Sequence, residues 1–356
     1  MKKTNENIID KSITNKIKPY KIIYPILIGL GVVGWMFYKE FDVRAFDEIH
    51  FSMQSLFWLV IAILCMLMRD FGYVIRIKIL SGNRLTWIKA LRIIILWEFT
   101  SAVTPSVIGG TSMAILFVNK EGIKLGRSSA IVMATSFLDE LYFIIMFPLI
   151  LLFINQTELW NMPGVSTGVA GTLFWVAVIG YSVKLAYLSM LTYGLFRNPR
   201  GLKWLILKLF KLKLLRKWRK DANEVGTDIV RNSYELSQKP FSFWIKSFGA
   251  TFFSWTARYW VVNALLMAFW AAKYDMSKHF LIFARQLIMW IMMIISPTPG
   301  GSGFAEYVFK EYLGEFLPGM GVAVAIAILW RLITYYPYLL AGALIIPKWV
   351  IKAFKK

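Results

Sequence analysis

The sequence predicts an all-α polytopic membrane protein with about six full spans and two opposed re-entrant helical hairpins. Its composition is the first observation: 58% of the 356 residues are hydrophobic and the mean hydropathy is +0.57, far above a soluble globular profile. Several apolar runs also approach the roughly 20 residues that a spanning helix needs. Finally, Pro/Gly-rich interruptions fall inside apolar sequence once in each half of the chain, which is typical of an inverted repeat.

Charge and cysteine content exclude several classes of function. The formal net charge is +21, which in a membrane protein indicates basic cytoplasmic loops that face anionic lipid, so no nucleic-acid partner is predicted. Cys65 is the single cysteine, and His50 and His279 are too few for a histidine-based metal centre. We therefore predict no metal and no cofactor. The sequence has no P-loop, HExxH or GxSxG motif, so hydrolysis-powered transport is not predicted either.

The apolar runs are flanked by loops of alternating charge, and these loops set the predicted topology. The leader is polar and basic, and the first apolar run is long enough to remain as a span, so we expect no cleaved signal peptide. The basic residues from Arg76 onward indicate an internal loop after the second span. The predicted full spans are 22–38, 56–75, 130–154, 172–195, 245–271 and 322–346.

The apolar stretch 93–118 decides how the chain crosses the membrane. If this stretch crossed completely, the basic loop 120–127 would be external. The segment 197–220, with ten basic and no acidic residues, would then be external as well. The positive-inside rule opposes both placements. We therefore predict that the stretch enters from the cytoplasm, turns at 105–110 and returns.

A second interruption, 296–303, follows the apolar run 281–295 and predicts a hairpin of the opposite orientation. Its prolines lack a backbone donor and its glycines permit positive φ, so a helix cannot continue through it. The charged residues that follow are Glu306, Glu311 and Glu315 against Lys310, and this acidic balance is typical of an external return. Broken helices at membrane depth are tolerated only inside protein or beside water, and transporters place substrate sites there.

These elements define the predicted organisation of the chain. We expect a location in the plasma (inner) membrane with both termini in the cytoplasm. A basic amphipathic stretch joins the two halves, and an amphipathic helix within 202–220 is expected to lie on the anionic leaflet. The predicted segments are a leader 1–21, a transmembrane domain 22–347 with halves 22–195 and 240–347 joined by 197–239, and a basic tail 348–356.

The candidate substrate-binding residues are the two interruptions and the ionisable residues inside apolar runs. Each such charge costs about 2.5–3.5 kcal/mol at mid-bilayer on insertion scales, so it faces a polar interior or another charge. Arginines there could bind phosphate bidentately, or the charges could form structural ion pairs. The candidates are Glu98, Thr104, Pro105, Gly109, Gly110, Asp139, Glu140, Arg258, Arg285, Ser296, Pro297, Thr298, Pro299, Gly300, Gly301, Gly303, Glu306 and Arg331.

Two of these groups suggest more specific chemistry. Asp139 and Glu140 are neighbours on a helix and point about 100° apart, which disfavours a shared proton and favours ion pairs with arginines of neighbouring helices. The helix N-termini that follow Gly110 and Gly303 present free N–H groups and are candidate anion sites. The alternative for both interruptions is that proline and glycine simply kink ordinary spans, but the loop charges oppose it.

The motif Ser-Pro-Thr-Pro-Gly-Gly-Ser-Gly-Phe-Ala-Glu at 296–306 resembles the Pro-x-Pro-Gly-Gly-x-Gly…Glu signature of the lysylphosphatidylglycerol synthase transmembrane region family. Thr104-Pro105…Gly109-Gly110 is similar to that family's first Pro/Gly-Gly element, and Asp139-Glu140 to its acidic element. The resemblance covers about residues 20 to 350. It implies flipping of lipids such as aminoacylated phosphatidylglycerol between leaflets. The fused enzymes of the family also carry a soluble aminoacyl-transferase domain, and because this chain ends at Lys356 we do not expect lysyl transfer.

The first functional hypothesis is a lipid translocase that moves an anionic or lipid-phosphate substrate between leaflets. The alternative is a membrane enzyme or accessory subunit in phospholipid or lipid-linked glycan synthesis. Membrane lipids are the expected partners. Two further partners are left open: a second copy of the chain, which would form a homo-oligomer, and a separate lipid-synthesising enzyme. No catalytic residue is predicted.

Overall fold

The computed structural model describes residues 38, 51–104, 107–160, 167–209, 219–270, 275–293, 301, 303–317 and 320–354. Every regular element in these ranges is a helix, in agreement with the predicted fold class. The predicted span 22–38 lies outside the described residues except for its last position. Pro105 and the motif residues Ser296, Pro297, Thr298, Pro299 and Gly300 also lie outside them.

Thirteen α-helices follow one another in the described part of the chain. A π-helical turn, Tyr193–Arg197, extends α6, and a 3₁₀ turn, Gly314–Phe316, follows α11. The helices are α1 Met53–Leu80, α2 Trp87–Val103, α3 Val107–Lys120, α4 Leu125–Leu151, α5 Gln156–Trp160, α6 Thr167–Thr192, α7 Pro199–Leu209, α8 Arg219–Ser237, α9 Phe241–Trp270, α10 Met276–Met292, α11 Phe304–Leu313, α12 Met320–Thr334 and α13 Tyr336–Phe354.

Four helical stretches of the described residues are long and apolar enough to cross a membrane: Met53–Leu80, Leu125–Leu151, Phe174–Arg197 and Gly321–Pro347. They coincide with four of the predicted spans. The predicted span 245–271 coincides with α9, which has 30 residues but is not one of these four helices, so its crossing of the membrane stays a prediction.

The last predicted span, 322–346, is not one continuous helix. It is interrupted at Tyr335, so that α12 ends and α13 begins there. Pro337 lies in the first turn of α13, where a missing backbone N–H is tolerated, whereas inside a continuous helix it would remove a hydrogen bond. The proline therefore accounts for the break.

Helices α2 and α3 form a hairpin, as the charge argument predicted. Ser101 and Gly110 are nine positions apart, which is about 13 Å along a continuous helix, yet they lie in contact. A Cβ added to Gly110 would overlap the Ser101 side chain. At the other ends of the helices, Lys89 donates to the Glu121 carbonyl at 2.9 Å and Arg92 pairs with the Glu121 carboxylate at 2.8 Å. The chain therefore leaves this hairpin at the end where it entered.

Helices α10 and α11 form the second hairpin. The Asp275 side chain caps α10 by accepting from the Lys278 backbone N–H at 2.9 Å. Arg285 on α10 reaches the end of α11, where it donates to the Tyr312 carbonyl at 3.1 Å and pairs with Glu315 at 2.7 Å. These contacts bring the end of α11 back beside α10.

The chain forms two compact units. Unit 1 comprises Met1–Met66, Ile95–Thr111 and Trp260–Lys356, and unit 2 comprises Leu67–Ile94 and Ser112–Tyr259. The core of unit 1 includes the fully buried Phe309 and Val322, and that of unit 2 includes Ile131 and Ala134. Each unit is assembled from separate stretches of sequence, and the inverted repeat of the two sequence halves stays a prediction.

The basic stretch that joins the sequence halves forms two helices of unit 2, with residues 210–218 outside the described ranges. Helix α7 begins at Pro199, a residue favoured in a first helical turn, and packs on α8. Lys203 donates to Thr227 at 2.9 Å. Trp204 is 63% exposed, with the Lys208 ammonium 5.0 Å from its ring centroid. An amphipathic helix is therefore present, and its position on the leaflet stays a prediction.

Candidate functional site

The second Pro/Gly interruption ends in a tight, glycine-dependent turn of unit 1. Gly301 and Gly303 have φ values of 67° and 80°, a left-handed conformation that glycine adopts without a steric penalty. A Cβ added to Gly301 would also overlap the Met293 methyl group. The expectation that these glycines supply positive φ is confirmed at both positions.

The Glu306 side chain caps the helix that this turn begins. One carboxylate oxygen accepts a hydrogen bond from the Gly303 backbone N–H at 2.8 Å. Glu306 is at the third position of α11, from which a glutamate can reach back to the first free N–H groups of a helix. Its negative charge also lies at the positive end of the helix dipole.

The other oxygen of Glu306 pairs with Arg331 of α12, whose Nε donates at 3.0 Å. Glu306 is 1% exposed and Arg331 is 6% exposed, so the pair is almost fully buried. Removing one partner of such a pair costs about 3–5 kcal/mol because the other charge stays buried without compensation. The pair thus holds α11 and α12 together at the turn.

Arg331 continues the contact to Tyr335 at the break between α12 and α13. The guanidinium carbon lies 3.5 Å from the centroid of the Tyr335 ring, a cation–π contact. The Tyr335 hydroxyl donates to the backbone carbonyl of Ala102 at 3.1 Å. Ala102 is in the last turn of α2, where carbonyls lack helical partners. Gly303, Glu306, Arg331 and Tyr335 are called the Glu306 centre below.

The first interruption contributes to unit 1 through packing and local hydrogen bonds. Thr104 donates to the Thr100 carbonyl at 2.7 Å, and Glu98 is half-buried on α2. Gly109 lies in α3, and Gly110 lies against Ser101. The structure therefore brings Gly303, Glu306 and Arg331 together, and links them through Tyr335 to the helix that ends at the first interruption.

Unit 2 contains a second buried ionic cluster around Asp139 on α4. Arg76 of α1 donates to both carboxylate oxygens, and the Trp255 indole N–H of α9 donates to one of them at 2.7 Å. Arg76 also donates to Thr251 at 3.2 Å. The ion pair predicted for Asp139 with an arginine of another helix is confirmed.

Glu140 points to a different helix from its neighbour Asp139. Both of its oxygens accept from the Lys184 ammonium of α6, at 2.8 and 3.1 Å. The prediction that the two carboxylates do not share a proton is consistent with these separate partners, although Glu140 pairs with a lysine rather than an arginine.

The other two predicted arginines have partners of their own. Arg285 pairs with Glu315 in unit 1. Arg258 belongs to unit 2, is half-buried, and lies over the Trp255 ring with its guanidinium carbon 5.5 Å from the centroid. Within the described ranges, no group of three or more His, Cys, Asp or Glu side chains could hold a metal ion.

The family described as the lysylphosphatidylglycerol synthase TM region matches residues 22–342. The chain belongs to this family. It is similar to the UPF0104 membrane protein of Archaeoglobus fulgidus, with 27% identity over 310 residues that cover 83% of this chain and 88% of the relative.

Sequence reasoning missed several residues of the polar clusters in this lysylphosphatidylglycerol synthase TM region protein. Arg76 was expected to begin an internal loop, but α1 continues to Leu80 and Arg76 is buried against Asp139. This expectation was wrong. The basic residues that follow Arg76 in the sequence suggested a loop, although Arg76 is still inside the helix. Trp255 and Tyr335 are uncharged residues inside the predicted spans 245–271 and 322–346 and gave no signal, whereas Pro337 could have located the break beside Tyr335.

Proposed function

We propose that this membrane protein is a lipid translocase that moves an anionic or phosphate-bearing lipid between the two leaflets. The observation that carries the proposal is the Glu306 centre, a buried ion pair built onto a glycine-dependent turn between two helices of a hairpin. Transporters place substrate sites at such interruptions, and intramembrane ionisable residues mark their pathways.

Membership of the lysylphosphatidylglycerol synthase TM region family supports a lipid with a phosphate in its headgroup. That description names a synthase of an aminoacylated phospholipid, and we take from it only that the substrate is a phospholipid. We place the protein in the plasma membrane with both termini in the cytoplasm, because that arrangement leaves the basic loops inside.

A liposome assay tests the proposal. Purified protein is reconstituted with fluorescent phosphatidylglycerol in both leaflets, and an impermeant quencher is added outside. A translocase exposes the inner-leaflet probe and increases the quenched fraction above that of empty liposomes. Glu306→Gln removes the negative charge opposite Arg331 and should reduce this rate, whereas Glu311→Gln, the same change at an exposed position of α11, should not.

Mass spectrometry of the lipids recovered from these liposomes separates transport from chemistry. Unmodified lipid together with increased quenching supports the translocase. Conversion of the lipid into a new product, without movement between leaflets, would contradict the proposal. Equal rates for liposomes with and without protein, across anionic phospholipids, would contradict it as well.

A further inference from the structure

Arg258 is a cation in the interior of α9, the 30-residue helix that coincides with the predicted span 245–271. It is half-buried and belongs to unit 2. An arginine at the centre of a membrane helix costs about 2.5–3.5 kcal/mol on insertion scales, so it normally has a counter-charge or reaches water.

Five other cations, which lie inside α1, α6, α10 and α12, have carboxylate partners. In unit 2 these cations use three carboxylates, and in unit 1 they use two. The pairs are Arg69 with Asp70, Arg76 with Asp139, Lys184 with Glu140, Arg285 with Glu315, and Arg331 with Glu306. Within the described ranges, the Arg258 guanidinium has neither an ion pair nor a hydrogen bond, and its contact is the face of Trp255.

Trp255 holds Arg258 in a defined place. The two residues are three positions apart on α9 and so share a helix face. The indole is itself fixed, because its N–H donates to Asp139 at 2.7 Å and its ring packs edge-on against Phe143 with centroids 4.8 Å apart. The Asp139 charge is already compensated by Arg76. Arg258 is thus a positioned guanidinium whose hydrogen-bond donors are available.

We propose that Arg258 binds the phosphate group of a phosphate-bearing lipid and neutralises its negative charge. This inference rests on the proposed lipid translocation. A guanidinium matches two phosphate oxygens with two parallel hydrogen bonds, which a point-charge ammonium does not. The sequence analysis named three arginines as candidate phosphate ligands. Arg285 and Arg331 already pair with carboxylates, so Arg258 is the candidate that the structure favours.

Direct binding to the purified, detergent-solubilised protein tests the assignment. The ligands are phosphatidylglycerol, inorganic phosphate, and diacylglycerol, which has acyl chains but no phosphate. Arg258→Gln should weaken phosphatidylglycerol binding by about tenfold or more, the effect of losing a hydrogen-bonded charge. Lys246→Gln removes one positive charge from an exposed position of the same helix and should leave the affinity unchanged. Arg258→Lys should fall between Arg258→Gln and the unmodified protein.

Each outcome has a defined meaning. Unchanged phosphatidylglycerol binding by folded Arg258→Gln overturns the assignment, as does an equal loss of diacylglycerol binding. If Arg258→Gln does not fold, Arg258→Lys decides the question, and unchanged affinity in that variant overturns the bidentate contact. Arg258-dependent binding of inorganic phosphate that equals that of the lipid supports the phosphate site and assigns it to a soluble ligand.

The same proteins in the liposome assay separate this inference from the proposed function. Arg258-dependent lipid binding without leaflet transfer supports the site and contradicts the translocase. Leaflet transfer with unaltered binding and rate in Arg258→Gln supports the translocase and overturns the site.

Discussion

The Tyr335 hydroxyl donates a hydrogen bond of 3.1 Å to the backbone carbonyl of Ala102, although the two residues are 233 positions apart in the sequence. Ala102 lies just before the first Pro/Gly interruption, and Tyr335 contacts Arg331, the partner of Glu306 just after the second. One line of polar contacts in unit 1 therefore joins the two helical hairpins.

Tyr335→Phe removes this hydrogen bond and leaves the ring in place over Arg331. We expect a loss of about 0.5–1.5 kcal/mol in stability, because the buried Ala102 carbonyl loses its donor. The measurement is thermal unfolding in detergent. Tyr307→Phe is the control, since Tyr307 is half-exposed on α11, and it should be nearly neutral. Equal unfolding temperatures for the two variants would show that the hydrogen bond does not contribute.

Gly301→Ala should impair the protein more than Gly249→Ala does. Alanine at Gly301 must adopt a φ of 67°, a strain of about 1–3 kcal/mol, and its Cβ meets Met293. Gly249 lies in α9 with open space around the added Cβ, so alanine there should be neutral or stabilising. Thermal stability and leaflet transfer are both measured at matched expression. Full activity and normal stability of Gly301→Ala would contradict a specialised turn.

The Glu306–Arg331 pair should show strong coupling in a double-mutant cycle. Glu306→Gln or Arg331→Met alone leaves a buried charge unpaired, and each should cost about 3–5 kcal/mol. The double variant leaves neither charge, so its loss should be well below the sum of the two single losses. Stability is compared for all four proteins by thermal unfolding. Additive losses would indicate that the two charges do not compensate each other.

Thiol labelling tests the predicted membrane topology. Because Cys65 is the single native cysteine, a Cys65→Ser background makes each introduced cysteine unique. Cysteine at positions 120 and 208 should react from the cytoplasmic side, and cysteine at position 155 from outside. An impermeant reagent on intact cells, compared with permeabilised cells, makes the measurement. External labelling at position 208 would contradict the re-entrant path of the first hairpin.

Several features of the fold were predictable from short segments of the sequence. Proline lacks a backbone N–H and glycine tolerates positive φ, so a turn with a left-handed backbone at Gly301 and Gly303 was predictable. The fold-back of α2 on α3 was also predictable, because it follows from the charge of the flanking loops. Helix geometry likewise separates Asp139 from Glu140, which explains why they pair with different helices.

The sequence does not predict which side chains the buried charged residues contact. A buried charge requires a counter-charge, but several residues could supply it. Arg76 was grouped with its basic neighbours in the sequence, yet it turns inward to Asp139, and only the packing of α1 on α4 and α9 brings those atoms together. Arg258, Arg285 and Arg331 were equivalent candidates in the sequence. They differ in the folded chain because carboxylates lie within reach of Arg285 and Arg331, whereas an indole ring lies beside Arg258.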